Sequence, residues 1–131
     1  MKITEQLVRG MSLDNSRIIA FDLETTGTNT NTDQIIQIAY GYYVNGELKD
    51  PVTKLFKPTI PINPGAQRVH GFSMEQLQNE SLFKSEAVEL REIFSNADGF
   101  MGYNVGFDLS VIQAEFERSG VPQLDLSNVA I

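Results

Sequence analysis

Hydrophobic residues before residue 60 occur in short runs of strand length. Residues 17–23 are predicted to form strand 1, since a run of four apolar residues inside them is typical of a strand buried on both faces. Residues 34–44 are predicted to form strand 2, and the Asn45-Gly46 pair that follows favours a two-residue hairpin turn. Residues 47–58 then form an antiparallel strand 3, and Pro51 indicates either a sheet edge or a bulge.

Hydrophobic residues after residue 80 recur at helical spacing. An amphipathic helix is predicted over residues 83–96, where Phe83, Ala87, Leu90 and Phe94 share one face. Residues 99–103 are predicted to form a short strand 4. A second helix is predicted over residues 107–120, with Gly120 as its C-terminal cap, and strand 5 begins near residue 124.

The segment between the two halves of the chain is rich in proline and is predicted to be a surface loop. Ser73 lies three residues before Gln76, which is typical of a capping box and predicts a short helix there. Three meander strands followed by helix, strand, helix and strand predict a mixed α/β sheet. The crossover through the 83–96 helix makes strand 4 parallel to strand 1.

Length and composition fit a single globular domain. The chain has 131 residues, of which 41% are hydrophobic and 21% charged. We expect an N-terminal arm or short helix over residues 1–16 and one domain over residues 17–131. No apolar run approaches the ~18 residues of a membrane span, and the first fifteen residues do not resemble a secretory signal.

Charge and cysteine content narrow the partners and the kind of site. The formal net charge is −7, which disfavours binding to nucleic acid mainly through a basic face. It does not exclude a nucleic-acid enzyme, because bound divalent cations supply positive charge locally. The chain has no cysteine, so disulfides and cysteine-based zinc sites are excluded, and a cytoplasmic location is expected.

Three carboxylates follow the two parallel strands. Asp22 and Glu24 are two positions apart at the end of strand 1, so both point to one side of the sheet. Asp108 follows strand 4 at the start of a helix, and neighbouring parallel strands bring their carboxyl ends to one crevice. Converging carboxylates repel each other, and oxygen ligands of this kind suit Mg²⁺ or Mn²⁺. The alternative is that all three are ordinary solvated carboxylates, with Asp108 favoured by the helix dipole.

Three motifs resemble the DEDD superfamily of 3′–5′ exonucleases, and most of all its proofreading epsilon-type members. They are "FDLETTG" at 21–27, "RVHGFSMEQL" at 68–77 and "GYNVGFDLSVI" at 102–112. The resemblance implies a ribonuclease-H-like fold with the five-stranded sheet order 3-2-1-4-5. It also implies hydrolysis of terminal phosphodiesters of DNA or RNA to nucleoside monophosphates.

The same resemblance implies roles for individual residues. Asp22, Glu24 and Asp108 are expected to bind two Mg²⁺ or Mn²⁺ ions, which activate water and stabilise the leaving oxygen. The residues expected around the terminal nucleotide are Leu23, Thr25, Thr26 and His70. The expected partners are the 3′ end of single-stranded DNA and a DNA polymerase subunit, with no membrane.

The sequence departs from the superfamily pattern in two places. Tyr103 stands where relatives often have histidine. The fourth Asp of the superfamily, and the His or Tyr that precedes it as general base, have no counterpart after Asp108. Asp125 instead matches the acidic residue that opens the fifth strand. We therefore expect the C-terminal helices to be missing, the 131-residue chain to be weak or inactive alone, and an exposed apolar face to favour self-association.

Two other functions remain open at this point. The chain could be a non-catalytic exonuclease-like domain that binds a polymerase, another protein or nucleic acid. It could also be another Mg²⁺-dependent phosphoryl-transfer enzyme, although that function does not account for "VHGFS" at 69–73.

Several side chains also have two open interpretations. His70 is either a substrate-pocket residue or a structural histidine bonded to backbone. Tyr103 and Phe107 either stack on bases or belong to the core. The cations that either contact phosphates or lie on a solvated surface are Lys54, Lys57, Arg68 and Lys84.

Overall fold

A mixed four-stranded sheet organises residues 17–131, the part of the chain that the computed structural model describes. The strands are β1 (Ile18–Thr25), β2 (Ile35–Val44), β3 (Glu47–Leu55) and β4 (Gly99–Met101), in the order β3-β2-β1-β4. β2 is antiparallel to both of its neighbours, and β4 is parallel to β1. The predicted mixed α/β class is confirmed, whereas the arm predicted over residues 1–16 lies outside the described residues.

Four α-helices follow β3 in the described part of the chain. They are α1 (Pro64–His70), α2 (Met74–Leu77), α3 (Ala87–Ser95) and α4 (Val105–Arg118), and a 3-10 turn (Phe83–Ser85) precedes α3. Across residues 17–131, no helix combines the length and the apolar character that a bilayer crossing requires.

The β2–β3 hairpin forms as predicted. Asn45 has φ 51° and Gly46 has φ 83°, the two positive values that a type I′ turn requires. Tyr40 pairs with Val52 and Tyr42 pairs with Lys49, so β3 carries one extra residue beside Pro51. Pro51 is therefore both on an edge strand and next to a bulge.

The C-terminal segment does not form the predicted fifth strand. Residues 124–131 contribute a single parallel bridge, between Ala130 and Gly99. The side chain of Asp125 accepts hydrogen bonds from the backbone N–H and the hydroxyl of Ser127, at 3.0 and 2.7 Å. After this turn, the Ala130 carbonyl accepts from the Phe100 N–H at 2.9 Å and the Ala130 N–H donates to the Asp98 carbonyl at 3.1 Å, so pairing is confined to one residue.

The predicted Pro-rich loop contains helix α1, which sequence patterning missed. The side chain of Asn63 caps its first turn by accepting from Gly65 N–H at 2.8 Å, and Pro64 occupies the first helical position, where its missing N–H costs nothing. Gly71 ends the helix with φ 80°. The predicted capping box of α2, Ser73 with Gln76, is confirmed.

The two longer helices differ slightly from their predicted bounds. The helix predicted over residues 83–96 is divided into the 3-10 turn and α3, and the helix predicted over residues 107–120 begins at Val105.

The main hydrophobic core lies on one face of the sheet, under α3 and α4. From β1 it contains Ile19, Phe21 and Leu23, which alternate along the strand. Phe21 meets the rings of Phe94 and Phe100 edge to face, with centroids 5.1 and 5.8 Å apart. Because successive strand residues point to opposite faces, Asp22 and Glu24 point away from this core.

Gly102 allows the end of β4 to approach β1 closely. A Cβ at this position would lie 2.6 Å from the carbonyl oxygen of Phe21, a backbone atom that cannot yield easily. The absence of a side chain therefore sets the distance between the end of β1 and the start of α4, where Asp108 lies.

Candidate active site

A cleft of about 220 Å³ opens at the carboxyl end of β1. It brings together six of the predicted site residues, namely Asp22, Leu23, Glu24, Thr25, His70 and Asp108. The other residues that line it are Gly27, Thr28, Ala66, Val69, Asn104 and Phe107. Thr26, the seventh predicted site residue, does not line the cleft.

Asp22 and Glu24 reach the cleft because they share one face of β1. Asp22 is exposed and Glu24 is half-buried. Burial raises the pKa of Glu24 above its usual value, the negative charge of Asp22 raises it further, and His70 opposes the shift. The register of β1 against β2 slips just after Glu24, so a bulge adjoins the site.

Asp108 is the most buried carboxylate of the cleft. It lies in the first turn of α4 with 3% of its surface exposed, and its Oδ2 atom has no hydrogen-bond partner. Burial raises its pKa to about 7, and the charges of Asp22 and Glu24 add to the shift. A helix N-terminus normally favours the anion, so burial and the two neighbouring carboxylates outweigh the helix dipole here.

The donor set of the cleft suits a hard cation. It offers carboxylate oxygens from three residues, and one of these oxygens is buried and unpaired. As placed, no three His, Cys, Asp or Glu side chains within residues 17–131 are grouped closely enough to hold one ion. The three carboxylates would therefore have to move closer together to hold one cation between them.

His70 is bonded to backbone through both ring nitrogens. Its Nδ1 accepts from the Phe72 N–H at 3.0 Å, so Nε2 carries the proton and donates to the carbonyl of Thr25 at 3.1 Å. These bonds hold the ring in the wall of the cleft, and bonding to backbone is the structural interpretation of His70. In this arrangement neither nitrogen is free to accept a proton from water.

The two threonines that follow Glu24 hold the loop at the end of β1. Thr25 donates its hydroxyl to the carbonyl of Gly27 at 2.6 Å. Thr26 is fully buried, donates its hydroxyl to Asp33 Oδ1 at 2.8 Å and accepts from Gln34 N–H at 2.9 Å. Thr26 thus shapes the loop behind the cleft and does not face it.

Glu115 and Arg118 of α4 tie the same loop to the helix, which sequence reasoning missed. Glu115 is 6% exposed and accepts from the Ile35 N–H at 3.1 Å. Arg118 bonds Glu115 at 2.8 Å and donates to the carbonyls of Asn31 and Asp33 at 2.8 and 2.9 Å. The sequence feature that could have predicted this contact is Glu115 itself, a charged residue on the apolar face of α4.

Tyr103 and Phe107, the two aromatic residues considered for base stacking, differ in burial. Phe107 is half-buried and packs against the main core, so the core interpretation holds for it. Tyr103 is 100% exposed, so the core interpretation is wrong for that residue.

The four cations considered for phosphate contact all lie outside the cleft. Lys54 forms an ion pair with Glu86. Lys57 and Lys84 line a separate pocket of about 210 Å³ together with Arg118, and Arg68 is exposed on α1. No Lys or Arg side chain of the described residues lines the acidic cleft itself.

Comparisons with known proteins agree with this fold and motif set. The RNase_T model, described as exonuclease, matches residues 19–127. The 3′–5′ exonuclease DinG of Bacillus subtilis (strain 168) is 31% identical over 111 residues. The PolC-type DNA polymerase III of Ureaplasma parvum serovar 3 is 28% identical over 120 residues.

Solved structures share the fold. Exonuclease I of E. coli in complex with a dT13 oligonucleotide superposes with a TM-score of 0.74 at 23% identity, covering 82% of this chain and 25% of that one. The product-bound structure of exonuclease I superposes with the same TM-score at 24% identity. The ribonuclease-H-like α/β class is therefore confirmed, with four strands in the described residues.

The chain spans a small part of its relatives. The aligned regions are 82% of this chain and 12% of DinG, and 89% of this chain and 8% of the PolC-type polymerase. The family match covers most of the 131 residues, and the motif resemblance to DEDD-type 3′–5′ exonucleases is confirmed. The chain thus belongs to the exonuclease family that this match defines.

Proposed function

We propose that residues 17–131 form an exonuclease domain that removes nucleotides one at a time from the 3′ end of single-stranded DNA in a metal-dependent reaction. The observation that carries this proposal is Asp108, a buried carboxylate in the same cleft as Asp22 and Glu24, with an oxygen that has no partner. Burying an unpaired carboxylate is costly, and a bound cation removes that cost.

We propose that Asp22, Glu24 and Asp108 hold two Mg²⁺ or Mn²⁺ ions. When bound, such ions supply activation of water and stabilisation of the leaving oxygen of a phosphodiester. Asp108 would contribute the most buried of these carboxylates and Asp22 an exposed one. In this proposal the raised pKa of Asp108 falls when the cation binds, since positive charge favours the carboxylate.

The remaining cleft residues position the terminal nucleotide. Leu23 and Thr25 border the cleft from β1, and His70 borders it from the end of α1. We propose that His70 acts by shape and not as general base, because both of its nitrogens are engaged with backbone. Thr26 supports the site from behind through its bonds to Asp33 and Gln34.

The wider context of the domain is also part of the proposal. One relative is a PolC-type DNA polymerase III, so a polymerase is the proposed protein partner and proofreading the proposed role. We also propose a cytoplasmic location and an N-terminal arm over residues 1–16. The face of the sheet that carries Asp22 has an open groove of about 280 Å³ lined by Ala20, Ala39 and Leu48, which supports self-association.

A second function has its own support. No base other than the backbone-bonded His70 lines the cleft among the described residues, apart from the carboxylates themselves. General-base help is typically worth ~10²–10⁴-fold in rate. A non-catalytic domain that binds nucleic acid or a polymerase would keep the cleft without that help. Slow turnover by the isolated chain therefore fits the enzyme, and binding without turnover fits the non-catalytic domain.

One experiment separates the two functions. A 5′-labelled single-stranded oligonucleotide is incubated with the chain and Mn²⁺, beside the Asp22→Ala variant. The enzyme proposal predicts slow shortening by single nucleotides from the 3′ end, blocked by a 3′-terminal phosphorothioate and lost in the variant. Binding of the oligonucleotide without shortening contradicts the enzyme proposal and supports the binding domain.

A further inference from the structure

One strongly exposed hydrophobic side chain lines the acidic cleft, and a second belongs to the residue that precedes a lining residue. Tyr103 is 100% exposed and Val69 is 84% exposed. These are the two highest values among the exposed large hydrophobic residues of the described chain. Val69 lines the cleft from α1, and Tyr103 directly precedes Asn104, which lines it from the start of α4. Both side chains are therefore accessible to a ligand that extends out of the cleft.

The position of Tyr103 is fixed although its ring is free. It lies in the short turn between β4 and α4, whose first residue, Gly102, approaches the Phe21 carbonyl too closely for any side chain. Four residues later, Phe107 anchors α4 against the main core. Because the backbone on both sides of Tyr103 is packed, a flat partner that covers the ring restricts only the rotation of its side chain.

The chemistry around Tyr103 favours a nucleobase over a phosphate. Three carboxylates line the adjacent cleft, and no Lys or Arg of the described residues does, so a phosphate group inside the cleft finds no cationic side chain there. Stacking on an aromatic ring needs no positive charge and is available to every base.

The volume of the cleft places the base next to the 3′-terminal nucleotide outside it. A volume of about 220 Å³ is below the ~300–1,000 Å³ typical of small-molecule sites, so one nucleotide of a strand is the most that it holds.

We propose that Tyr103 stacks on the base next to the 3′-terminal nucleotide of a single-stranded substrate, just outside the cleft. The proposal rests on the proposed nuclease or nucleic-acid-binding function. Tyr103 is a binding residue in it and does not touch the reacting phosphate. Stacking of one base on an aromatic side chain predicts that Tyr103→Ala weakens binding of a short oligothymidylate by roughly 5- to 50-fold.

The absence of tryptophan from the sequence makes a direct test possible. Tyr103→Trp introduces a single tryptophan at the rim, and Val88→Trp introduces one at a site on α3 that is 66% exposed and outside the cleft. Both variants are titrated with an eight-residue oligothymidylate in Ca²⁺ and with the same strand carrying an abasic site second from its 3′ end. The proposal predicts tryptophan quenching for Tyr103→Trp by the intact strand, at least threefold less by the abasic strand, and none for Val88→Trp.

Affinity measurements with a labelled strand complete the test. Wild type and Tyr103→Phe are expected to bind equally, and Tyr103→Ala more weakly, with far-UV circular dichroism showing that all three fold alike. Equal binding by wild type and Tyr103→Ala, together with an unquenched Tyr103→Trp, overturns the stacking proposal and leaves the proposed function intact. No binding by wild type overturns both.

Discussion

The carboxylate of Glu115 accepts a hydrogen bond from the Ile35 N–H at 3.1 Å, across 80 positions of the chain. The bond joins the buried face of α4 to the first residue of β2. Arg118 neutralises the same carboxylate and donates to two carbonyls of the loop that follows Thr26. The helix that carries Asp108 and the strand that carries Glu24 are thus connected through this loop.

Removing the Glu115 carboxylate should therefore destabilise the fold. Glu115→Ala leaves a buried N–H and the Arg118 guanidinium without their partner, which is expected to lower the free energy of unfolding by about 2–3 kcal/mol. Urea unfolding measures the change. Glu117→Ala is the matched control, since Glu117 is exposed on the same helix and should change stability by less than ~0.5 kcal/mol. Equal unfolding midpoints for the two variants would contradict the role given to Glu115.

Substitution by alanine should change stability in opposite directions at Gly102 and Gly106. Gly102→Ala places a Cβ 2.6 Å from the Phe21 carbonyl oxygen and is expected to cost roughly 1–3 kcal/mol. Gly106→Ala meets nothing within 4 Å and lies inside α4, so it should be neutral or stabilise by up to ~1 kcal/mol. Thermal unfolding distinguishes the two variants. A Gly102→Ala protein as stable as wild type would show that β4 does not approach β1 as closely as described.

Asp108 should make the metal-free protein less stable as the pH rises. Its pKa is raised from 3.8 to about 7 in the folded state, so folding favours the neutral carboxyl. The stabilisation from this group is complete below the unfolded pKa and is lost as the pH rises through about 7. Asp108→Asn, which cannot ionise, should raise the free energy of unfolding at pH 8 by roughly 1–3 kcal/mol and change it little at pH 4.

Unfolding in a chelating buffer at several pH values tests this prediction. Glu92→Gln, which removes a carboxylate from the exposed face of α3, serves as the control and should leave the pH profile unchanged. If the free energy of unfolding of Asp108→Asn changes with pH as that of wild type does between pH 4 and pH 8, the result would argue against a neutral carboxyl at residue 108.

Local patterns predicted the part of the fold that brings the carboxylates together. The alternation of Ile19, Phe21 and Leu23 places Asp22 and Glu24 on the opposite face of β1, and period-two alternation is a local property. The Asn45-Gly46 turn needs no distant partner either. The convergence of Asp108 followed from topology, because a crossover makes β4 parallel to β1.

Features that depend on particular contacts were not predictable in this way. Helix α1 was not predicted because its start, Asn63-Pro64, lies in a Pro-rich segment typical of a loop. The Asn63 side chain in fact caps the helix. The fifth strand is limited to a bridge at Ala130, and the bond between Asp125 and the Ser127 N–H forms a turn within the segment predicted to be extended. The partner of Glu115 lies 80 residues away, and no local pattern identifies Ile35.

Manganese binding tests the central claim most directly. The claim is that Asp22 and Asp108 hold divalent cations together. Thermal unfolding of wild type, Asp22→Ala and Asp108→Ala is followed as Mn²⁺ is added, with Asp125→Ala as an exposed control outside the cleft. We predict a saturable rise in the melting temperature of wild type and of the control, and no rise in the two cleft variants. A wild-type protein that does not respond to Mn²⁺, or cleft variants that respond as wild type does, would contradict the account.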